Sequence, residues 1–265
     1  MLKDITIGQY FPGSSVIHRL DPRIKIILTF ILIISLFTAG SMRGYGVCAF
    51  FVLAGLVLSR VPVKYVFKGL RPLLVILLLT IFVNMFMVAG EVIYSLGPLD
   101  ITREGLVQAV RMATRLVLLV MGASLLTLTT SPIALTDGIE KLLGPFRRVG
   151  VPAHELAMMM TIALRFIPTL LDETDKIMKA QMARGADFES GNLVNRAKNL
   201  VPLLVPLFIS AFRRADELAL AMESRCYRGG KGRTRLKVLH MAGRDYIALL
   251  LGAVTLLAAV ASRGW

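Results

Sequence analysis

The chain has 265 residues, 55% of them apolar and only 18% charged, with a mean hydropathy of +0.69. That balance excludes an ordinary soluble domain and reads as a membrane protein. The formal net charge of +14 would on its own suit nucleic acid, but most of the charge lies outside the apolar runs, as the positive-inside bias expects, so no nucleic-acid partner is called for. Cys48 and Cys226 are the only cysteines, too few for a disulfide framework or a zinc cluster. No secretory signal is visible, because the first apolar run starts near Ile24 and no small-residue cleavage site follows a short apolar region.

In chain order, HRLDPRIK leads into the first spanning candidate, residues 24–39. Asp21 is placed to cap this helix, Pro22 to occupy its first position, and Arg23 and Lys25 to anchor it at the membrane surface. After a break at 40–44 comes a second span, 45–58, near the lower length limit. The loop 59–71 carries Arg60, Lys64, Lys68 and Arg71 and no acid, which places it in the cytoplasm. A third span, 72–90, follows. The connection 91–105 has Glu91, Asp100 and Glu104 against Arg103 alone, which suits the outer side. A fourth span, 106–130, returns the chain to the cytoplasm, and a fifth, 246–265, leaves the C-terminus outside. The fold class is therefore all-α, with about five transmembrane helices in the plasma membrane, N-terminus inside. Residues 1–130 hold spans one to four, and 131–245 form a cytoplasmic insertion of about three amphipathic helices.

That insertion has 18 Lys and Arg against 12 Asp and Glu. Its first helix, ALTDGIEKLLGPF, is short. The second starts near Pro152, and Leu156, Met159, Ala163, Phe166 or Ile167, Leu170, Thr174, Ile177 and Gln181 recur at steps of three and four, the spacing of one helix face. Asp172 with Lys176 and Asp175 with Lys179 are i,i+4 pairs on the opposite face. Pro168 predicts a kink. The third helix runs from about Leu193, is bent by Pro202 and Pro206, and continues one stripe through Leu218 and Met222. Each of these two helices stops at an arginine between small residues, followed by glycine.

An enzyme lacks its parts here. His18, His154 and His240 are scattered and read as structural, and neither H-E-x-x-H nor G-x-S-x-G occurs. GGKGRT at 229–234 lacks the spacing of a phosphate loop. Any ATP and magnesium used in energised work must therefore be bound by another protein, and no cofactor or metal is expected on this chain. Arg111 and Arg115, one turn apart in an apolar helix, read as snorkelling toward the outer headgroups. Asn84 reads as an interhelical hydrogen bond.

Four stretches in one order, HRLDPRIK, IALRFIPTLLDET, AQMARGADF and AMESRCYRGG, make nearly the whole chain resemble the transmembrane (T) component of energy-coupling factor transporters. The resemblance implies a bundle of membrane helices joined to coupling helices, working with two ABC-type ATPase subunits and a small membrane S component that captures a vitamin or a metal ion. The family's two arginine motifs, which dock into the ATPase pair, fall on Ala183-Arg184-Gly185 and Ser224-Arg225-Cys226. The second departs from the usual Ala-Arg-Gly in both flanking positions, which puts its backbone geometry in question. Under the same resemblance, Met159, Phe166, Leu170, Ile177, Phe208, Phe212, Leu218 and Met222 would face the S component; as an alternative, these stripes pack on each other. A competing reading is a permease that binds its own substrate in the bundle. It needs polar residues converging at mid-depth, and only Asn84 and Arg115 qualify.

Overall fold

A computed structural model describes residues 10–96, 99–188, 198–230 and 239–264. Its elements are α1 (Pro22–Thr38), α2 (Met42–Ser59), α3 (Val63–Leu70), α4 (Leu74–Met87), a short hairpin β1 (Val92–Leu96) and β2 (Leu99–Thr102), α5 (Arg103–Thr129), α6 (Pro132–Leu143), α7 (Ala153–Ala183), α8 (Val201–Ser224) and α9 (Gly243–Ala261). The protein is an all-α membrane protein. Five helical stretches are long and apolar enough to cross a bilayer, namely Met42–Ser59, Val63–Met87, Arg103–Thr129, Ala153–Ala183 and Gly243–Ala261. By that criterion α7 qualifies although its charged half reads as cytoplasmic, whereas α1 has 17 residues, about 25 Å of helix.

Contacts divide the described residues into two units, one of residues 10–138 with 239–264 and one of residues 139–230. In the first, α1, α2, α5 and α9 pack on one another, and α4 lies along α5. Leu32, Leu36, Tyr45, Cys48, Val52, Leu118 and Ala259 form one buried cluster. Leu56, Val61, Val66 and Leu128 form a second. Close approach depends on small residues: a side chain at Gly122 would meet Leu32, and one at Gly252 would meet Leu28, as membrane helix packing prefers. A cavity of about 320 Å³ among α1, α2, α5 and α9 is lined almost wholly by apolar side chains such as Leu28, Leu32, Val52, Leu125 and Leu251.

HRLDPRIK turns out to tie three helix ends together. Asp21 caps α1 by accepting from the Arg23 N–H at 2.9 Å, with Pro22 in the first turn. Burial pushes the Asp21 carboxyl up, but the hydrogen bonds and charge of Arg23 outweigh it and hold the group below the usual carboxylate range. The Asp21 N–H donates to Asp245 Oδ1 at 2.9 Å, and the Ala242 N–H donates to Asp245 Oδ2 at 2.8 Å. Lys25, expected as a surface anchor, is buried within the protein. It is 6% exposed, and its Nζ donates to the Thr129 carbonyl at 2.8 Å, closing the C-terminal end of α5. His18 is structural: its Nε2 donates to the Phe11 carbonyl, which fixes the tautomer and leaves Nδ1 to accept from Ser15 Oγ.

Two other expectations are corrected locally. Residues 63–70 of the basic loop are helical, with Val66 buried, and the chain passes into α4 through one tight turn at Arg71–Leu73, where Pro72 lacks an N–H. Asn84 bonds within its own helix, Nδ2 donating to the Thr80 carbonyl at 2.8 Å, and among the described residues its side chain makes no bridge to a neighbouring helix.

Candidate functional site

In the second unit, α7 and α8 pack against each other. Their sequences explain why they end where they do. Arg184 caps the C-terminal end of α7, just past its last helical residue Ala183, with φ −89° and ψ 6°, and Gly185 follows at φ +89°. The Gly185 N–H donates to the Met182 carbonyl at 3.0 Å, and the Ala186 N–H donates to the Gln181 carbonyl at 3.0 Å. This pair of bonds is the Schellman closure, which satisfies carbonyls the helix would otherwise leave open.

The end of α8 repeats it. Arg225 has φ −90° and ψ 14°, and Cys226 takes φ +55°. The Cys226 N–H donates to the Glu223 carbonyl at 2.8 Å, and the Tyr227 N–H to the Met222 carbonyl at 3.0 Å. The doubt raised by Ser and Cys in place of Ala and Gly is thus resolved for the backbone, because both motifs adopt one geometry. Cys226 does so in the left-handed region, which costs a side-chain-bearing residue about 1–2 kcal/mol. The main-chain bonds of the closure offset that cost.

Ala183, Arg184, Gly185, Ser224, Arg225 and Cys226 are all exposed. Among the described residues neither guanidinium has an ion pair or hydrogen bond. Each arginine therefore presents a free planar fork of N–H donors at the end of a long helix, a form suited to carboxylates and carbonyls. Beside Arg225 a groove of about 460 Å³ is lined by Met158, Ile162, Leu218, Met222, Tyr227 and Arg228. Leu218 and Met222 thus share one groove with α7.

The other apolar candidates divide by exposure. Met159, Phe208 and Phe212 are exposed, at 54, 61 and 69%, whereas Phe166, Leu170, Ile177, Leu218 and Met222 are half-buried. So part of the stripe packs within the helix pair, and part stands open.

What holds the pair is a polar contact that single-helix periodicity does not reveal. Glu173 on α7 accepts from Ser210 Oγ and from Arg214 Nη2, the latter at 2.8 Å. The i,i+4 pairs Asp172–Lys176 and Asp175–Lys179 are not within ion-pair distance, and the helix-to-helix pair forms instead. A signal was present in the sequence: Glu173 falls between two acids already assigned to the outer face, and Ser210 interrupts an apolar run. A second polar contact closes the start of α7. His154 Nδ1 lies 3.1 Å from Glu140 Oε1, and its Nε2 lies 3.5 Å from the Tyr227 hydroxyl, next to the second motif. His240 is exposed. Of GGKGRT, Gly229 and Gly230 are described and the remainder lies outside the described residues, as does the expected start of the insertion's third helix near Leu193. Among the described residues no three His, Cys, Asp or Glu side chains are grouped to hold a metal.

Known proteins resemble this chain over its full length. The family model for CbiQ, described as cobalt transport protein, matches residues 13–236. The energy-coupling factor transporter transmembrane protein EcfT of Thermosediminibacter oceani is 63% identical over 262 residues, 99% of each chain. The protein of the same name from Clostridium kluyveri is 60% identical over 267 residues, covering 100% of this chain and 99% of that one. That of Bacillus subtilis is 49% identical over 246 residues, 92% of this chain and 93% of the relative.

Proposed function

Because the chain belongs to the CbiQ family of transport proteins, together with the EcfT transmembrane proteins, we propose that it is the non-catalytic coupling subunit of an energy-coupling factor importer. Two ABC-type ATPase subunits bind ATP and magnesium and dock on Arg184 and Arg225. A separate small membrane S component captures a vitamin or metal ion and rests on the open apolar stripe of α7 and α8. In this reading α1 is a membrane span, the α6 to α8 region is cytoplasmic, the N-terminus is inside and the C-terminus outside. Opening and closing of the ATPase pair moves the two helix ends, and the helices pass that motion to the S component.

One observation carries the proposal: two long, mutually tied helices end in the same backbone closure, each with an exposed arginine that has no ion pair among the described residues. A helix-dipole role alone would account for a cation at one such end, worth about 0.3–1 kcal/mol. It gives no reason for Cys226 to hold a left-handed conformation so as to reproduce the closure of the first. The permease reading loses Asn84, which bonds to its own helix. The cavity within the bundle is apolar.

The test is charge reversal. Arg184→Glu and Arg225→Glu should insert and purify at wild-type abundance, since both residues are exposed and exposed substitutions cost little. Each should weaken co-purification with the ATPase subunits by about 2–5 kcal/mol of binding, the cost of breaking a buried charged contact. The double variant should lose assembly and uptake altogether. Wild-type assembly and uptake in the double variant, at equal abundance, would return both arginines to ordinary helix-end cations.

A further inference from the structure

In the first unit, at the end opposite the Asp21–Asp245 contacts, lies a polar pocket of about 230 Å³. It sits where α1 ends at Thr38 and α2 begins, beside the first half of α5 and the residues that follow α9. Three arginines line it, Arg111, Arg115 and Arg263, with Gln108, Thr38 and Tyr45, and among the described residues no carboxylate does. Arg115 is held within the protein. Its Nη2 donates to the Tyr45 hydroxyl at 2.7 Å, and its guanidinium stands 5.2 Å from the Phe37 ring centre and 5.8 Å from that of Tyr45. Arg111 keeps a buried Nε with no hydrogen-bond partner among the described residues. Arg263 is set by close packing, since its side chain lies against Gly40 in the turn between α1 and α2.

We propose that this pocket binds a phosphate-bearing anion, and that the arginines are the ligands. Three guanidiniums share one small volume, and among the described residues none has an ion pair. Arginines at membrane depth are costly unless paired, and a buried donor left open adds its own penalty. Phosphate answers both demands. It carries the missing negative charge, and its oxygens accept bidentately from a planar guanidinium. Tyr45 and Phe37 hold Arg115 in place beforehand, through a hydrogen bond and two ring faces, so little ordering remains for the ligand to impose. The phosphate has two possible sources, the headgroup of an anionic phospholipid and a free phosphate, and basic pockets between membrane helices suit the first.

The experiment uses the full chain purified in mild detergent. Native mass spectrometry measures binding of phosphatidylglycerol and phosphatidylcholine, and a parallel series follows thermal unfolding with added inorganic phosphate. Phosphatidylglycerol should bind about ten-fold more tightly than phosphatidylcholine, and Arg111→Gln and Arg263→Gln should each reduce that preference by about ten-fold, the loss of one charge-assisted contact. Arg43→Gln removes an exposed arginine at the start of α2 that does not line the pocket, and should change the preference by less than about two-fold. Arg263 is itself exposed, so its variant carries the test should Arg111→Gln fail to fold. Stabilisation by inorganic phosphate that is lost in Arg263→Gln, without lipid preference, would uphold the site and identify free phosphate as its source. Equal binding of both lipids with no effect of phosphate would overturn the proposal. So would an Arg43→Gln effect as large as that of Arg263→Gln.

Discussion

The two units are both built from long helices and hold themselves together in different ways. The membrane bundle buries two clusters of large side chains and a network in which Asp245, 1% exposed, receives two backbone donors. The α7–α8 pair, among its described residues, fully buries only Ala153, Ala157 and Leu203, and its joint is Glu173 with Ser210 and Arg214. A bundle with an interior keeps its shape alone. Two helices with almost none take their stability from a few polar ties and from whatever covers their open faces.

Breaking a tie in each unit should separate these regimes. The largest effect belongs to Asp245→Ala, which strands the N–H groups of Asp21 and Ala242 in a buried place and should cost about 3–5 kcal/mol. Asp245→Asn should lie between that variant and wild type, because a side-chain amide has one acceptor oxygen where two donors are received. Thermal unfolding in detergent would check both, and an unaltered Asp245→Ala would show that the bundle does not depend on this network. In the second unit, Glu173→Ala and Arg214→Ala should each cost about 1–2 kcal/mol, with a coupling of about 1 kcal/mol in a double-mutant cycle, since the pair is partly exposed. They should lower coupled uptake while the first unit melts as before. The smallest effects fall on the helix ends. Gly185→Ala should lose about 1 kcal/mol and Cys226→Gly should gain less than about 1 kcal/mol, read from amide exchange of Ala186 and Tyr227. Equal and opposite responses of the two ends would confirm their shared closure in solution.

Much of this architecture is legible in the amino-acid pattern. Asp21-Pro22 opens α1 by cap and first-turn chemistry, and Arg184-Gly185 ends α7, because both signals act within a few residues of chain. What escapes a local reading is where a charge finds its partner. Lys25 looks like a surface anchor until α5 places the Thr129 carbonyl beside it. Arg115 finds Tyr45, 70 residues away on α2. Glu173 meets Arg214 from 41 residues away, a distance at which helix periodicity carries no information. Cys226 escaped for another reason: residue preference argued against the left-handed turn, and the hydrogen bonds of the closure decided for it.

The position of the Glu173–Arg214 tie has a mechanical consequence. Arg184 lies eleven residues beyond Glu173, and Arg225 lies eleven beyond Arg214. Eleven residues make three turns of helix, an arm of about 16 Å that returns to nearly the face it left. Neither arm contains proline or glycine, whereas Pro168 and Pro206 both fall on the far side of the tie. Under the proposed coupling role, the ion pair would be a pivot with two stiff arms of equal length, and equal displacements of the two arginines would turn both helices through equal angles. The compliance sits beyond the pivot, at the prolines.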